Sequence, residues 1–359
     1  MKTAVVHDWL TGMRGGELVL AEILDLVPVP TIFTLFHFPG SVSPRIERFP
    51  IVTSWLSRLP LTPRNYRNFL PLFPAAVESF GLEGFDLVVS SSHCVAKGAI
   101  QRGPARHLCY CHTPVRYAYD QFDAYFSPGR TRGYGLKRYF IDRLRRWDQR
   151  TSGRPDRFLA NSTRVAERIR SAYGREAGVV FPPVDTEFFT PSSAAPEDYA
   201  LCVGALVPYK RFERAIEWSR RSGRPLRIVG AGPEEDRLRE MAPGSVSFEK
   251  ELSREELRER YRRCAFFLQP GEEDFGIASV EAQACGRPVV ALGRGGASDV
   301  VAPGTGSTFP EAAPEAILAA IDSLRAVGFN PERAIANAQR FSTRRFRDDF
   351  AREVQALTQ

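Results

Sequence analysis

The sequence lacks the features that place a protein across a membrane. Its 359 residues contain no apolar run near the roughly 18 residues that a spanning helix requires. The opening segment MKTAVVHDWL has one lysine and a short apolar stretch, which is less than a secretory signal peptide needs. The six cysteines are scattered, as in proteins that keep their thiols reduced. These absences predict a globular protein of the cytoplasm.

Familiar catalytic motifs are also missing. No Gly-x-Ser-x-Gly elbow, Walker loop or His-Glu-x-x-His motif occurs, which argues against the corresponding hydrolases, nucleoside triphosphatases and zinc enzymes. Four histidine and cysteine residues lie between His107 and His112, but their spacing matches no usual zinc motif. We therefore expect no metal and no cofactor. A glycosidase with paired carboxylates remains an alternative, although it leaves the cations and glycine loops described below unexplained.

Positive charge is concentrated in the first half of the chain. Residues 1–185 hold 25 Lys+Arg against 16 Asp+Glu, a balance of +9, whereas residues 186–359 hold 24 against 26, a balance of −2. The densest basic segment, residues 130–157, is interleaved with aromatic side chains. It is interpreted either as a solvated helix face or as a surface for an anionic membrane or a lipid-phosphate acceptor. Nucleic acid is the least favoured partner, because no zinc-finger, RNP-type or basic-zipper signature accompanies the charge.

Short apolar strands alternate with amphipathic helices in two successive series, which predicts two parallel-sheet α/β domains. The predicted strands are 3–6, 31–36, 86–90, 107–111 and 158–160 in the first series, then 199–203, 226–229, 246–249, 265–268, 289–292 and 307–309 in the second. A Ser/Ala/Pro-rich stretch at 191–196 is typical of a linker. The chain ends in a predicted helix over 342–357, with Phe341, Phe346 and Phe350 near one face.

The most informative segment is GEEDFGIASVEAQACGRPVVAL, residues 271–292. It predicts a loop, a helix that ends at the C′ residue Gly286, and a strand. Glu273 then lies just before the helix, and Glu281 lies in its second turn. The amides of a first helical turn have no intrahelical partners, so they favour anionic or hydroxyl-rich ligands. Two carboxylates around such a turn suit a ligand that has both phosphate and sugar hydroxyls.

Three further segments follow predicted strands, at the edge where open α/β sheets bind their ligands. Gly15-Gly16 allows a ligand to approach the amides of a helix start, or is only a tight turn. Lys210 and Arg211 could neutralise a diphosphate, or form an ordinary surface pair. His112 directly follows a strand, and its alternative is a purely structural role.

Taken together, these segments resemble those of retaining glycosyltransferases of family 4. The pair Glu273 and Glu281, followed by GRPVVA, is the most specific element, and the resemblance covers nearly the whole chain. HDWLTGMRGGE at 7–17, CYCHTPVRY at 109–117, FPPVDTEFF at 181–189 and LVPYKR at 206–211 are similar to the GDP-mannose-dependent mannosyltransferase branch. The resemblance implies an α/β fold of the GT-B kind: two Rossmann-like parallel-sheet domains facing across a cleft, with a C-terminal crossover helix.

The resemblance also implies a separate role for each domain. It assigns acceptor binding to residues 1–182, on which a helix at 342–359 packs back, and nucleotide-sugar binding to residues 183–341. Catalytic roles are implied for His112, Glu273 and Lys210. The residues implied to bind the donor are Gly15, Gly16, Lys210, Arg211, Lys250, Phe275, Gly276, Ile277 and Glu281. Many members have an arginine where this chain has Ala205, and Arg211 and Arg14 are the candidates to replace it.

The implied activity is transfer of a hexose, by preference mannose from GDP-mannose, with retained anomeric configuration. The implied acceptor is a glycan or a polyprenyl-linked glycan of bacterial surface polysaccharide synthesis, reached at the inner face of the cell membrane. No residue is placed as a covalent nucleophile, so a front-face reaction is preferred, in which the leaving phosphate takes the acceptor proton. The alternatives are a sugar-nucleotide epimerase or hydrolase, a phosphorylase, and a catalytically silent nucleotide-binding scaffold.

Overall fold

The computed structural model describes residues 1–60, 65–119, 122 and 133–359. The chain divides into two compact units, Met1–Pro183 together with Phe346–Gln359, and Val184–Arg345. Each unit contains a parallel β-sheet with helices packed against it. Of the basic segment predicted at 130–157, residues 130–132 lie outside the described residues.

The sheet of the first unit is parallel, with its described strands in the spatial order β3-β2-β1-β4-β5-β6-β7. The strands are β1 (Thr3–His7), β2 (Pro30–Thr34), β3 (Ile51–Thr53), β4 (Leu87–Ser92), β5 (Arg106–Cys111), β6 (Arg157–Ala160) and β7 (Ala177–Val179). Strand β1 pairs with β2 on one side and with β4 on the other, so the winding direction reverses there. Such a reversal opens a crevice at the carboxyl ends of the strands, where sheets of this kind bind ligands.

The helices of the first unit cover both faces of this sheet. They are α1 (Gly15–Leu26), α2 (Pro44–Glu47), α3 (Phe73–Glu78), α4 (Tyr134–Arg150) and α5 (Thr163–Tyr173). The apolar side of α1, with Leu20 and Ile23, belongs to one core together with Val5 of β1. The opposite core is rich in aromatic rings, among them Phe36 and Phe73 with ring centroids 5.8 Å apart.

A buried ion pair fastens α4 to the rest of the first unit. Lys97 Nζ lies 2.9 Å from Asp148 Oδ1, and the two side chains are 1% and 0% exposed. The hydroxyls of Tyr119 and Tyr173 each donate to Asp148 Oδ2 at 2.8 Å. The carboxylate is therefore compensated on both oxygens, as a buried charge must be. The pair therefore anchors the end of α4 that carries Asp148 to the loop that carries Lys97.

The second unit repeats the architecture, with its described strands in the order β10-β9-β8-β11-β12-β13. The strands are β8 (Ala200–Val203), β9 (Leu226–Val229), β10 (Val246–Glu249), β11 (Phe266–Gln269), β12 (Val289–Leu292) and β13 (Gly306–Phe309). The helices are α6 (Phe212–Ser222), α7 (Glu235–Met241), α8 (Arg254–Arg263), α9 (Ile277–Ala284), α10 (Ala297–Val300), α11 (Pro314–Val327) and α12 (Pro331–Ala338). Trp218 of α6 packs edge-on against Phe266 of β11 in the core beneath them.

The last helix, α13 (Thr343–Thr358), belongs to the first unit from Phe346 onward. Phe346 stacks on Phe350, and its ring centroid lies 5.9 Å from that of Tyr110. Phe341 was expected on the same face, but it lies in a 3-10 turn before the helix and contacts Phe275 in the second unit. The predicted apolar face is therefore correct for Phe346 and Phe350 and wrong for Phe341.

The predicted fold class is confirmed, and the differences concern edges and boundaries. The first half was expected to end its sheet at 158–160, but β7 adds a further edge strand, and β3 was not predicted. Helix α1 begins at Gly15 rather than after Gly16, so both glycines lie in its first turn. Along the chain, the boundary between the two units falls between Pro183 and Val184, before the stretch at 191–196 that was expected to link them. In the described part of the chain, no helix is both long enough and apolar enough to cross a bilayer.

Candidate functional site

An ion pair between two strand-end loops forms the centre of the polar site in the second unit. Lys210 ends the 3-10 turn Pro208–Lys210 after β8, and Glu273 lies in the loop after β11. Lys210 Nζ lies 2.8 Å from Glu273 Oε1, and the two side chains are only 11% and 18% exposed. Salt screens a pair at this depth less than it screens a surface pair. The structure therefore brings together two of the three residues with predicted catalytic roles.

Close approach of the backbone makes room for this pair. Gly204 at the end of β8 has a φ of +144°, and a Cβ atom there would lie 2.4 Å from Lys210 Nζ. Gly295 after β12 has a φ of +71°, and its Cβ atom would lie 2.2 Å from the carbonyl oxygen of Glu273. The N–H of Gly296 donates to the same oxygen at 2.9 Å. This loop was not predicted, although Gly295 and Gly296, two adjacent glycines after a predicted strand, indicate a close approach of the backbone.

Helix α9 begins immediately after the Glu273 loop. Gly276 precedes the helix with a φ of +97°, and the buried ring of Phe275 packs on Phe341 with centroids 5.3 Å apart. Of the first-turn amides, that of Ser279 donates to the carbonyl of Gly276 at 3.0 Å, and those of Ile277 and Ala278 come before the first regular intrahelical bonds. A cation, a carboxylate and a helix N-terminus are therefore neighbours, which is an arrangement suited to a phosphate next to hydroxyl groups.

Glu281 lies in the second turn of α9, as predicted, and its partner is a tyrosine. The hydroxyl of Tyr261 in α8 donates to Glu281 Oε2 at 2.7 Å. Burial raises the pKa of Glu281 to about 7, although the hydrogen bond from Tyr261 and the charge of Arg254 act in the opposite direction. At neutral pH this carboxyl group is therefore divided between its two protonation states. No pattern in the sequence marked Tyr261, because only packing of α8 against α9 brings it to Glu281.

Arg211 and Lys250, both predicted to bind the donor, form ion pairs with glutamates outside the Lys210–Glu273 site. Arg211 has a left-handed backbone with φ of 56° just before α6, and its Nε donates to Glu213 Oε1 at 2.6 Å. Lys250 follows β10, is 46% exposed, and its Nζ lies 2.8 Å from Glu235 Oε1. Their roles toward a ligand stay predictions, as does that of Arg14 in the first unit.

The first unit has a separate polar cluster at the carboxyl ends of β1, β4 and β5. The hydroxyl of Ser91 lies 3.1 Å from His7 Nδ1 and 2.9 Å from His112 Nε2, so one side chain contacts both rings. Both rings border Gly16, where a Cβ atom would lie 3.8 Å from His112 Nε2 and 3.9 Å from His7 Cε1. Predicted residues His112 and Gly16 are thus neighbours, whereas His7 and Ser91 were missed by the sequence analysis.

Asp8 anchors the loop that follows β4 beside this cluster. Its carboxylate accepts the backbone N–H groups of residues 93–96, at distances of 2.6 to 2.9 Å. It also lies 3.2 Å from His93 Nδ1. Burial, together with His93 and His7, holds the pKa of His112 well below its usual range, so His112 is neutral at physiological pH. A neutral imidazole can exchange hydrogen bonds with hydroxyl groups without the desolvation cost of a charge.

Neither cluster has the ligands of a metal centre. Within the residues that the structure describes, no group of three or more His, Cys, Asp or Glu side chains is arranged to hold a metal ion. All six cysteines are free thiols and buried. The side chains of these clusters can neutralise phosphate with a lysine and recognise hydroxyl groups with carboxylates and imidazole.

Comparison with known proteins agrees with this geometry. Residues 30–188 match the family described as Glycosyltransferase Family 4, and residues 184–341 match the family described as Glycosyl transferases group 1. The structure is similar to that of Anabaena HepE in complex with UDP, with a TM-score of 0.73 and 18% identity over 99% of this chain and 100% of the other. The fold is that of the GT-B glycosyltransferases, with two Rossmann-like domains.

The chain belongs to glycosyltransferase family 4. It is 32% identical over 168 residues to a GDP-mannose-dependent alpha-mannosyltransferase of Mycolicibacterium smegmatis, which covers 44% of each protein. It is 34% identical over 211 residues to the GDP-mannose-dependent alpha-(1-6)-phosphatidylinositol monomannoside mannosyltransferase of that organism, over 50% of this chain and 54% of the relative. A D-inositol 3-phosphate glycosyltransferase of Catenulispora acidiphila is 30% identical over 52% of both. The chain thus spans about half the length of these relatives.

Replacement of Gly16 by alanine separates a structural role from a ligand-binding role. The methyl group of an alanine at position 16 would make only ordinary van der Waals contacts. Alanine stabilises a helix by about 0.5–1 kcal/mol relative to glycine. We expect Gly16→Ala to keep or raise the melting temperature but to weaken nucleotide-sugar binding, measured by calorimetry. Gly276→Ala is the contrasting variant, since its φ is +97° and its Cβ atom would lie 2.7 Å from Gln269 Oε1, so we expect it to lower stability. Unchanged affinity in Gly16→Ala would remove Gly16 from the binding site.

The raised pKa of Glu281 predicts a pH-dependent affinity for nucleotide. The family resemblance implies that Glu281 hydrogen-bonds the nucleotide ribose. The ionised carboxylate accepts hydrogen bonds from both ribose hydroxyls better than the protonated form does, and ionisation occurs around pH 7 here. Affinity for GDP, measured by calorimetry, should therefore rise as pH increases from about 6 to about 8. Tyr261→Phe removes a hydrogen bond that lowers this pKa, so the rise should move to higher pH.

Tyr199→Phe provides the matched control, because the hydroxyl of Tyr199 donates to the carbonyl of Arg260 and does not contact Glu281. It should leave the pH profile of GDP binding unchanged. An affinity that is constant over this pH range in the wild type would contradict a contact between Glu281 and the ribose.

Proposed function

We propose that this protein is a retaining α-mannosyltransferase that uses GDP-mannose as its donor. The observation that carries the proposal is the ion pair of Lys210 and Glu273 at the start of α9, with Glu281 on the same helix. This arrangement offers separate groups for a diphosphate, a sugar and a ribose. The two relatives of Mycolicibacterium smegmatis that are named as GDP-mannose-dependent mannosyltransferases support the choice of donor.

The ion pair suggests how donor binding arranges the site. A diphosphate carries more negative charge than one carboxylate, so it competes with Glu273 for the ammonium group of Lys210. The released carboxylate of Glu273 then accepts hydrogen bonds from hydroxyls of the donor sugar. Lys210 and the first-turn amides of α9 stabilise the negative charge that develops on the leaving diphosphate. The acceptor proton goes to a phosphate oxygen in this front-face reaction, so no protein side chain needs to act as a base.

We propose a glycan or a polyprenyl-linked glycan as acceptor, in the synthesis of bacterial surface polysaccharide. The support comes from the first unit, where α4 exposes large apolar side chains between cations. Leu136, Tyr139 and Phe140 are 63%, 54% and 37% exposed. The cations of α4 are Lys137, Arg138, Arg143, Arg145, Arg146 and Arg150. Exposed aromatic and apolar groups flanked by lysine and arginine suit the interface of an anionic membrane, where a lipid-linked acceptor resides.

Selective stabilisation by ligands tests the donor. In a thermal-shift panel of GDP, UDP, ADP and their sugar conjugates, GDP and GDP-mannose should raise the melting temperature most, since only ligands that bind the folded state stabilise it. Products of transfer from GDP-mannose should retain the α configuration when examined by NMR. Selectivity for UDP would contradict the proposed donor, and an inverted product would contradict the proposed mechanism. Sugar release without an acceptor, dependence on inorganic phosphate, or binding without turnover would each favour one of the alternative activities.

Sedimentation with lipid vesicles tests the membrane contact of α4. The wild-type protein should sediment with vesicles that contain phosphatidylglycerol and much less with pure phosphatidylcholine, and the difference should shrink at high salt. The variant Leu136→Ser/Tyr139→Ser/Phe140→Ser should lose most of this binding. A matched control is Val52→Ser/Trp55→Ser, which alters apolar side chains that are 42% and 39% exposed elsewhere in the same unit. Equal binding of the α4 variant and the control would contradict the assignment to α4.

A further inference from the structure

A single hydroxyl group couples two histidines in the first unit. Ser91 Oγ lies 3.1 Å from His7 Nδ1 and 2.9 Å from His112 Nε2, and both His7 and Ser91 are fully buried. A hydroxyl has one proton, so it donates to one ring nitrogen and accepts from the other. At a pH where both imidazoles are neutral, their tautomers are therefore linked: when His7 carries its proton on Nε2, His112 must also carry its proton on Nε2.

Glu17 determines which of the two linked tautomeric arrangements of His7 and His112 is favoured. Its Oε1 lies 3.7 Å from His7 Nε2, which is too long for a hydrogen bond but close enough for its charge to act on the ring. Burial raises the pKa of Glu17, but the interaction with His7 and, to a lesser extent, that with His93 outweigh this effect, so the net pKa lies below its usual value. The carboxylate is thus ionised, and a negative charge facing Nε2 favours a proton on that nitrogen.

The other charged and titratable groups around the cluster do not reverse this direction. The carboxylate of Asp8 is occupied by four backbone N–H groups and lies against His93, not against His7 or His112. The ring of His93 lies 5.9 Å from that of His7 and 6.2 Å from that of His112, and burial lowers the pKa of His93, so this ring is neutral too. Among the described residues, Glu17 is the carboxylate that lies against Nε2 of His7.

The remaining nitrogen of His112 is then an acceptor. With its proton on Nε2, His112 has a bare Nδ1, and no hydrogen-bond partner for this atom is found among the described residues. The His112 side chain is half-buried, in contrast to His7 and Ser91. His112 is therefore the one of these three residues that is partly exposed, and its Nδ1 is the acceptor that it can offer to a ligand.

We propose that Glu17, His7 and Ser91 are positioning residues that hold His112 in its Nε2–H tautomer, so that Nδ1 of His112 accepts a hydrogen bond from a hydroxyl of the sugar substrate. The identity of that hydroxyl ligand rests on the proposed mannosyl transfer. The tautomer itself depends only on the contacts within the first unit. A donor nitrogen at the same place would suit a phosphate oxygen instead, so the tautomer determines which part of a ligand His112 contacts.

Nitrogen NMR of protein labelled with ¹⁵N-histidine measures the tautomer directly. At a pH of about 8, where histidines are generally neutral, Nδ1 of His112 should show the shift of a bare nitrogen and Nε2 that of a protonated one. The His112 signals are assigned by their loss in His112→Asn. In Ser91→Ala the two tautomers should become mixed, and Glu17→Gln, which removes only the charge, should shift the balance in the same direction. A proton on Nδ1 in the wild type, or an unchanged tautomer in both variants, would overturn the proposal.

Ser90 offers a matched control on the same strand. Its hydroxyl lies 2.8 Å from Nε2 of His107 and it is as deeply buried as Ser91, but it does not contact the coupled pair. Ser90→Ala therefore removes an equivalent bond between a serine and a histidine. It should leave the signals of His112 unchanged. A change in His112 as large as that in Ser91→Ala would mean that general loosening of the sheet, not the hydroxyl bridge, sets the tautomer.

Two substitutions of His112 test the contact with substrate. The side-chain oxygen of asparagine can take the position of Nδ1, whereas glutamine reaches the position of Nε2. We expect His112→Asn to keep a kcat at least about tenfold above that of His112→Gln, the equivalent of about one hydrogen bond. Equal losses in the two variants would overturn the contact at Nδ1. If the wild type transfers no mannose, the proposed function fails, and the NMR result still decides the positioning role.

Discussion

The ion pair of Lys210 and Glu273 depends on backbone segments that approach more closely than side chains would allow. The ammonium group lies over Gly204, where a Cβ atom would be only 2.4 Å away. The carbonyl of Glu273 is held by the loop of Gly295 and Gly296 after the neighbouring strand. The order of β8, β11 and β12 in the sheet brings these loops to one edge. The polar site of the second unit thus follows from strand order and from glycines that leave space.

The polar clusters of the two units differ in charge, which suits them to different chemical groups. The second unit presents an ammonium group, a carboxylate and helix amides, which recognise phosphate and the hydroxyls beside it. The first unit presents the neutral ring of His112 at the carboxyl ends of its strands. Burying a neutral hydrogen-bonded ring costs less free energy than burying a charge. Each nitrogen of such a ring either donates a hydrogen bond to a hydroxyl group or accepts one from it.

Runs of apolar residues predicted the fold well. Features that depend on contacts between distant segments of the chain could not be predicted in this way. Strands β9 and β12 were predicted with the bounds that the structure shows, because each is a short, mostly apolar and buried run between turn signals. The edge strands β3 and β7 have only three residues each and are mostly not buried, so no apolar run marks them. At the site, Lys210 and Glu273 follow strands and were predicted, whereas the orientation of Arg211 depends on a left-handed backbone that no motif indicates.

The residues that the sequence did not reveal act through a second residue, and this explains why they were missed. Tyr261 matters through Glu281, which it reaches only because α8 packs beside α9. His7 and Ser91 matter through His112, which they reach only because β1, β4 and β5 are adjacent. Neither serine nor tyrosine is unusual in its local sequence, so the information lies in the pairing of strands and helices. A residue at a strand end can be predicted from its position, but a residue that orients it needs the fold.

At Glu281, burial and ionisation act against each other in the ligand-free protein. Its pKa of about 7 lies above the value of about 4.3 in an unfolded chain, so the folded state favours the protonated form. Stability from this group is present below that lower value and is lost as pH rises through about 7. Hydroxyl groups of a bound ribose would hydrogen-bond the ionised form and reverse this loss. In the proposed complex, the ribose would therefore stabilise the ionised carboxylate that burial disfavours in the ligand-free protein.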